Sequence, residues 1–307
     1  MKELTIPSKG KGKLHCCLWD DVASCKGVVQ LIHGIAEHVS RYAPLAEFLN
    51  AHGFIVAGED HMGHGGSIAE GSTQGYFDGG WLTAAEDSYS LYEKLHAEHP
   101  DVPYFFYGHS MGSFLTRTLL WKHPEAELAG AVISGTGWQP TAVLKLGQAV
   151  CKAQAKKVGE RNTSQAVNNL MFGNYNKSYG KTPRTNFDWL SRDEKVVDDY
   201  IADPFSGFDA SVGLSRDMLG GMELNQKAEN LAKMTKKLPI LFIAGDCDPV
   251  GSMGKGVTKT AEAFRKAGMQ NVTLKLYPQG RHEMHNELNR DEVFNDVLRF
   301  LEKHAAK

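Results

Sequence analysis

The chain lacks a surplus of either charge. Its 34 Lys and Arg stand against 36 Asp and Glu, a formal net charge of -2 over 307 residues. A protein that binds nucleic acid by displacing counterions needs a basic surface, and this balance supplies none, so no nucleic-acid partner is expected. Long apolar runs are missing too. The first ten residues, Met1 to Gly10, hold no stretch suited to a signal peptide, and no later segment approaches the roughly 20 apolar residues of a membrane span. The expectation is a cytoplasmic chain. Cysteine is sparse and odd in number: Cys16, Cys17, Cys25, Cys151 and Cys247. Adjacent Cys16 and Cys17 on a strand would point to opposite faces, and none of the five has metal-ligand spacing, which reads as reduced, mostly buried thiols. Internal repeats and low-complexity tracts are also absent. Neither a metal nor a cofactor is expected.

What the chain does have is an alternation of short β-type runs and helical patterns. The runs are Leu14 to Leu18, Val28 to His33, Phe54 to Gly58, Pro103 to Gly108, Ala129 to Ser134, Leu238 to Ala244 and Val272 to Tyr277. Several are apolar almost throughout, as strands covered on both faces are. Helical segments separate them: Met111 to His123 stopped by Pro124, Val257 to Ala267 closed by Gly268, and a C-terminal stripe of Val293, Phe294, Val297, Leu298 and Leu301. This predicts an α/β fold with a mostly parallel central sheet flanked by helices. The rhythm breaks from 138 to 222, which predicts an inserted helical cap between core segments 1–137 and 223–307. In the first cap helix, Pro140 to Val158, the pattern sets Val143, Leu146, Val150 and Ala153 on one side and Lys145, Lys152 and Lys156 on the other. The cap also looks electrically divided. Lys145, Lys152, Lys156, Lys157, Arg161, Lys177, Lys181 and Arg184 precede a segment rich in Asp188, Asp193, Glu194, Asp198, Asp199, Asp203, Asp209 and Asp217.

One short stretch carries the chemistry. Gly108-His109-Ser110-Met111-Gly112 falls where a strand gives way to a helix. There a tight turn projects the serine clear of the sheet, and the helix N-terminus favours negative charge beside it. The motif is weak by itself in a chain with 32 glycines. A serine hydroxyl needs a base to take its proton and an acid to orient that base. Candidates follow two later strands, at the sheet edge where open α/β folds bind ligands: Asp246 or Asp248 after Leu238 to Ala244, and His282 or His285 after Val272 to Tyr277. Asp246 sits where an aspartate often caps a turn, Asp248 has more freedom to reach a histidine, and His282 is nearer its strand end. The oxyanion of such chemistry needs two backbone N–H donors. Met111, next after the serine, and Ile35, in the loop His33 to His38, are placed to supply them. The loop Asp60 to Ser67 lacks the lysine and spacing of a phosphate cradle and reads as a structural turn. His33, His38, His61 and His64 form no ordered ligand set.

Together these residues resemble an α/β-hydrolase, and more narrowly its monoacylglycerol lipase and lysophospholipase-like branch. The carriers are His33-Gly34-Ile35-Ala36-Glu37-His38-Val39-Ser40-Arg41-Tyr42, the Asp60 to Ser67 loop, the Ser110 motif, Asp248 and Gly280-Arg281-His282-Glu283. The resemblance implies Ser110 as nucleophile, His282 as base and then acid, Asp248 as its orienting carboxylate, and Ile35 with Met111 as oxyanion hole. It makes Glu37 and Arg41 braces for the loop presenting Ile35. Ala36 and Met62 depart from the glycine and arginine common in relatives. The implied function is hydrolysis of a carboxylic ester, such as a monoacylglycerol, lysophospholipid or medium-chain ester, through an acyl-enzyme; the lysines of the first cap helix read as a solvated face or, alternatively, as a site of transient membrane-surface contact. A peptidase or acyltransferase on the same triad, or a non-catalytic binding homologue, are the alternatives.

Overall fold

The computed structural model describes residues 1–68, 71–179 and 183–306. Its sheet has eight strands: β1 (Lys2–Pro7), β2 (Lys13–Trp19), β3 (Gly27–Ile32), β4 (Phe54–Glu59), β5 (Tyr104–His109), β6 (Leu128–Ser134), β7 (Ile240–Gly245) and β8 (Val272–Tyr277). They run in the order β1-β2-β4-β3-β5-β6-β7-β8. β1/β2 and β2/β4 pair antiparallel and every other pair is parallel. Seven of these strands correspond to apolar runs in the sequence. β1 does not, because as an edge strand it pairs on one side only and buries just Ile6.

The helices, in chain order, are α1 (Ala43–Ala51), α2 (Trp81–Glu98), α3 (Met111–Lys122), α4 (Thr141–Val158), α5 (Gln165–Phe172), α6 (Glu194–Ala202), α7 (Val212–Asn225), α8 (Ala228–Lys233), α9 (Lys255–Lys266) and α10 (Arg290–Ala305). α1 and α10 cover one face of the sheet, with Leu45, Leu49, Val293 and Leu301 packed on Phe105 and Tyr107. α2, α3 and α9 cover the other through Leu91, Leu115 and Phe264 against Tyr104 and Phe106. Alternate residues of β5 thus enter different cores, the period-2 consequence of a strand. Cys16 and Cys17 likewise fall in opposite cores, and all five cysteines are free.

Between β6 and β7 the chain forms α4 to α8, and its only β pairing among the described residues is a single bridge, Thr163 to Ser211. The expected orientation of α4 is corrected here. Leu144, Gly147 and Cys151 face inward, whereas Val143 (53% exposed) and Leu146 (67%) face outward. This face packs on α7, where a Cβ on Gly147 would come within 2.8 Å of Leu219 Cδ1 and that side chain would have to shift. The charge division is also softened, since Arg184 pairs with Asp198 and Lys195 with Asp199, both at 2.6 Å. Lys181 lies outside the described residues. No helix among them is long and apolar enough to cross a membrane.

Candidate active site

β5 ends at His109, and Ser110 caps α3 with φ 53° and ψ −120°. That left-handed backbone costs a non-glycine residue about 1–2 kcal/mol. The flanking glycines make the turn fit. A Cβ on Gly112 would lie 1.8 Å from the Ile32 carbonyl oxygen, and one on Gly108 would lie 2.1 Å from Thr116 Oγ1.

The two acid candidates separate cleanly. Asp248 Oδ2 accepts from His282 Nδ1 at 3.0 Å, and Asp248 Oδ1 accepts from Val250 N at 2.8 Å. Asp246 instead accepts from Gln279 N at 2.7 Å and fastens a turn. His285 stacks on Tyr42 with ring centroids 4.4 Å apart, and burial pushes its pKa down to about 3, so it stays neutral. Burial also opposes charging of His282, but the Asp248 carboxylate overrides it and raises the imidazole above its ordinary value. His282 Nε2 is buried and has no hydrogen-bond partner among the described residues, Ser110 Oγ included. This is a common resting geometry, because such bonds often tighten only with substrate bound.

The loop after β3 reaches the serine: a Cβ on Gly34 would approach Ser110 Cβ to 3.0 Å. Ile35 and Ser110 line one cavity of about 200 Å³, walled by Phe114, Leu144, Met218 and Met222 and, among the described residues, free of charged side chains. Met111 is fully buried at the start of α3. Ala36 keeps φ 55° in spite of its side chain. The insertion holds it there, since Tyr200 Oη and Gly207 N donate to the Ala36 carbonyl at 2.9 and 3.0 Å.

Glu37 and Arg41 brace this loop as the motif suggested. Gly34 N (2.6 Å) and Tyr42 Oη (2.8 Å) donate to Glu37, and Arg41 donates to Glu37 at 2.6 Å. Arg41 also makes a bidentate pair with Glu283 at 2.8 and 2.7 Å. Burial alone would raise the Glu283 pKa, yet Arg41 holds it down to about 2. The cation therefore ties the Ile35 loop to the residue next after His282. Sequence reasoning assigned Glu283 no role and missed a second partner, Trp189. Its ring lies 5.0 Å from that of His282, and its carbonyl accepts from His282 N at 3.3 Å. Neither link has a local signal, since the partners are 242 and 93 residues apart. The Asp60 loop serves as a support: Asp60 accepts from Val39 N and Gly66 N, each at 2.8 Å, and His61 N donates to His33 Nε2 at 2.9 Å.

Residues 23–289 match the family model described as "Serine aminopeptidase, S33". A monoacylglycerol lipase of Mycolicibacterium smegmatis is 30% identical over 94% of this chain and 92% of its own length. The human monoglyceride lipase is 26% identical over 95% of this chain and 88% of its own. The crystal structure of a thermostable carboxyl esterase from Bacillus coagulans, in complex with glycerol, superposes with a TM-score of 0.91 at 32% identity, covering 99% of both chains. With an eight-stranded sheet of this order, a serine on the turn after β5 and an acid and a histidine after β7 and β8, the chain belongs to the S33 serine hydrolase family of α/β-hydrolases, in its monoacylglycerol lipase branch.

Proposed function

We propose that this carboxylic ester hydrolase cleaves monoacyl lipid esters, with Ser110 as nucleophile, His282 as base and acid, Asp248 as orienting carboxylate, and Ile35 N and Met111 N as oxyanion donors. His282 Nε2 takes the Ser110 proton as Oγ attacks the ester carbonyl. The oxyanion collapses, the C–O bond to the alcohol breaks, and His282 returns the proton to the leaving alkoxide. Water then attacks the acyl-Ser110 ester with His282 again as base, releasing the acid and restoring Ser110. Residues 138–222 act as the cap over this chemistry. The five free cysteines suit a reducing, cytoplasmic setting.

The observation that carries the reading is the uncharged cavity beside Ser110, which suits an apolar acyl chain. An aminopeptidase would need a carboxylate there for the substrate amine. Among the described residues none of the insertion's carboxylates lines that cavity: Asp193 caps α6, Asp198 and Asp199 pair with Arg184 and Lys195, and Asp209 lies in the adjoining space, accepting from Asn168 Nδ2 at 2.6 Å. Hydrolysis of methyl and glycerol esters from acetyl to long-chain acyl tests it. Activity peaking at medium or long chains is expected, and activity confined to acetyl esters would overturn it.

The raised His282 pKa sets the pH profile, because only the neutral imidazole can take the serine proton. The kcat/KM value is expected to rise with pH through an inflection above 6.5. In Asp248→Asn the raising charge is gone and burial remains, so the inflection should move down; an unmoved inflection would remove His282 as the titrating base.

The exposed apolar residues of the insertion, Leu146 together with Val143 and Leu170, which also line the Ser110 cavity, stand with Lys145 and Lys152 on its surface and suit transient contact with an anionic bilayer. Leu146 lines neither the Ser110 cavity nor any catalytic contact. Leu146→Glu is expected to weaken sedimentation with phosphatidylglycerol vesicles by about fivefold or more, from lost apolar burial, while hydrolysis of a soluble short ester is unaltered. Equal vesicle binding by both proteins would place the contact elsewhere.

A further inference from the structure

A second chamber, about 510 Å³, adjoins the Ser110 cavity and shares Ile35, Phe172 and Trp189 with it. Its chemistry is different. Five carboxamides line it: Gln165, Asn168, Asn169, Asn176 and Asn186. Two of them hold the wall or each other's neighbours. Asn176 Nδ2 donates to the Thr185 carbonyl at 2.7 Å and its Oδ1 accepts from Trp189 N at 3.0 Å, and Asn168 Nδ2 donates to Asp209 at 2.6 Å. Gln165 donates to Asn169 Oδ1 at 2.9 Å. Asn168 Oδ1, Asn169 Nδ2 and Gln165 Oε1 then have no partner among the described residues and can serve a ligand's hydroxyls. Phe187, Tyr200 and Phe208 add aromatic surface, with Phe187 and Tyr200 rings 5.1 Å apart. Among the described residues the charged lining side chains are one of each sign, Lys177 and Asp209.

Resting on the ester-hydrolase reading above, we propose that this chamber seats the alcohol half of the substrate, and that its ligand is an uncharged polyhydroxylated headgroup larger than glycerol, of the monoacyl-sugar class. The placement follows from Ile35, which borders both spaces at the position assigned to the oxyanion: the acyl chain leaves the ester carbonyl on one side and the alcohol on the other. Size favours more than glycerol, because 510 Å³ equals the liquid volume of about 17 water molecules. The lining favours hydroxyls over charge. Carboxamides both donate and accept, as a ring of hydroxyls requires, and the apolar C–H face of a sugar ring can lie on the aromatic side chains. A phosphodiester would meet one lysine and, on the same wall, a repelling carboxylate.

The test compares four esters of one decanoyl chain: methyl decanoate, 1-decanoylglycerol, 6-O-decanoylglucose and decanoyl-lysophosphatidylcholine. Expected is a kcat/KM for the glucose ester at or above that for the glycerol ester, with the lysophospholipid about tenfold or more below. The double variant Asn168→Leu/Asn169→Leu should lower the ratio of glucose ester to methyl ester by about tenfold, the worth of one or two neutral hydrogen bonds. A glucose ester turned over tenfold more slowly than the glycerol ester, a preference for the lysophospholipid, or a ratio unmoved in the variant would each overturn the proposal. Failure to cleave methyl decanoate would instead sink the ester-hydrolase reading, and this proposal with it.

Discussion

Ser110→Ala is expected to lower kcat for ester hydrolysis by about 10⁵-fold, because the acyl-enzyme cannot form and only substrate binding and the oxyanion donors remain. Asp248→Asn should cost about 10⁴-fold: the amide keeps the shape of the carboxylate but cannot hold His282 in the needed tautomer or stabilise its imidazolium. The two losses act on one unit, so the double variant should be no slower than Ser110→Ala alone. Pre-steady-state hydrolysis of a p-nitrophenyl ester reads all three, with the burst of p-nitrophenol absent in any variant lacking Oγ. A burst surviving in Ser110→Ala would assign the nucleophile to another residue. Additive losses in the double variant would mean that Asp248 acts outside the serine's own step.

The candidate site was legible in the sequence wherever a proposed catalytic residue coincides with a strand end. Ser110, Asp248 and His282 each follow an apolar run that became β5, β7 or β8, and parallel strands announce themselves because both faces are buried. Position along the chain favoured Asp248 over Asp246 but left both as candidates. The distinction lies in the Gln279 amide that takes Asp246 and the His282 ring that takes Asp248, contacts made across a fold rather than along it. The insertion was less legible. Periodicity in α4 correctly indicated a helix but set the wrong stripe inward: Leu144, Gly147 and Cys151 are buried, with Gly147 lying close to Leu219 of α7, while Leu146 is exposed.

The second large effect concerns Arg41, which lies between Glu37 and Glu283 where neither carboxylate is more than 3% exposed. Arg41→Met removes the one cation that both share and leaves two buried carboxylates facing each other. Breaking a buried pair in this way costs about 3–5 kcal/mol, far more than an exposed pair is worth. Urea unfolding at pH 7 should show that loss. Its pH dependence gives the sign. In the native protein the Glu283 pKa is depressed to about 2, so its stabilising effect is present above the ordinary carboxylate pKa of 4.5 and is lost as pH falls from there towards 2. In the variant both carboxylates are raised by burial and mutual repulsion, so they bind protons more tightly folded than unfolded, and stability falls as pH rises through the carboxylate range. The gap between the two proteins must therefore widen with pH and shrink in acid. Neutralising the trio together, as Arg41→Met/Glu37→Gln/Glu283→Gln, should recover much of the stability, because no uncompensated charge remains. It should not recover the rate: the Ile35 loop and the His282 loop are then no longer joined by a bidentate cation, so kcat stays low while the fold returns. A gap of constant size between pH 4 and pH 8 would mean that Arg41 acts through packing against Tyr200, whose ring it overlies at 4.7 Å, and not through its charge.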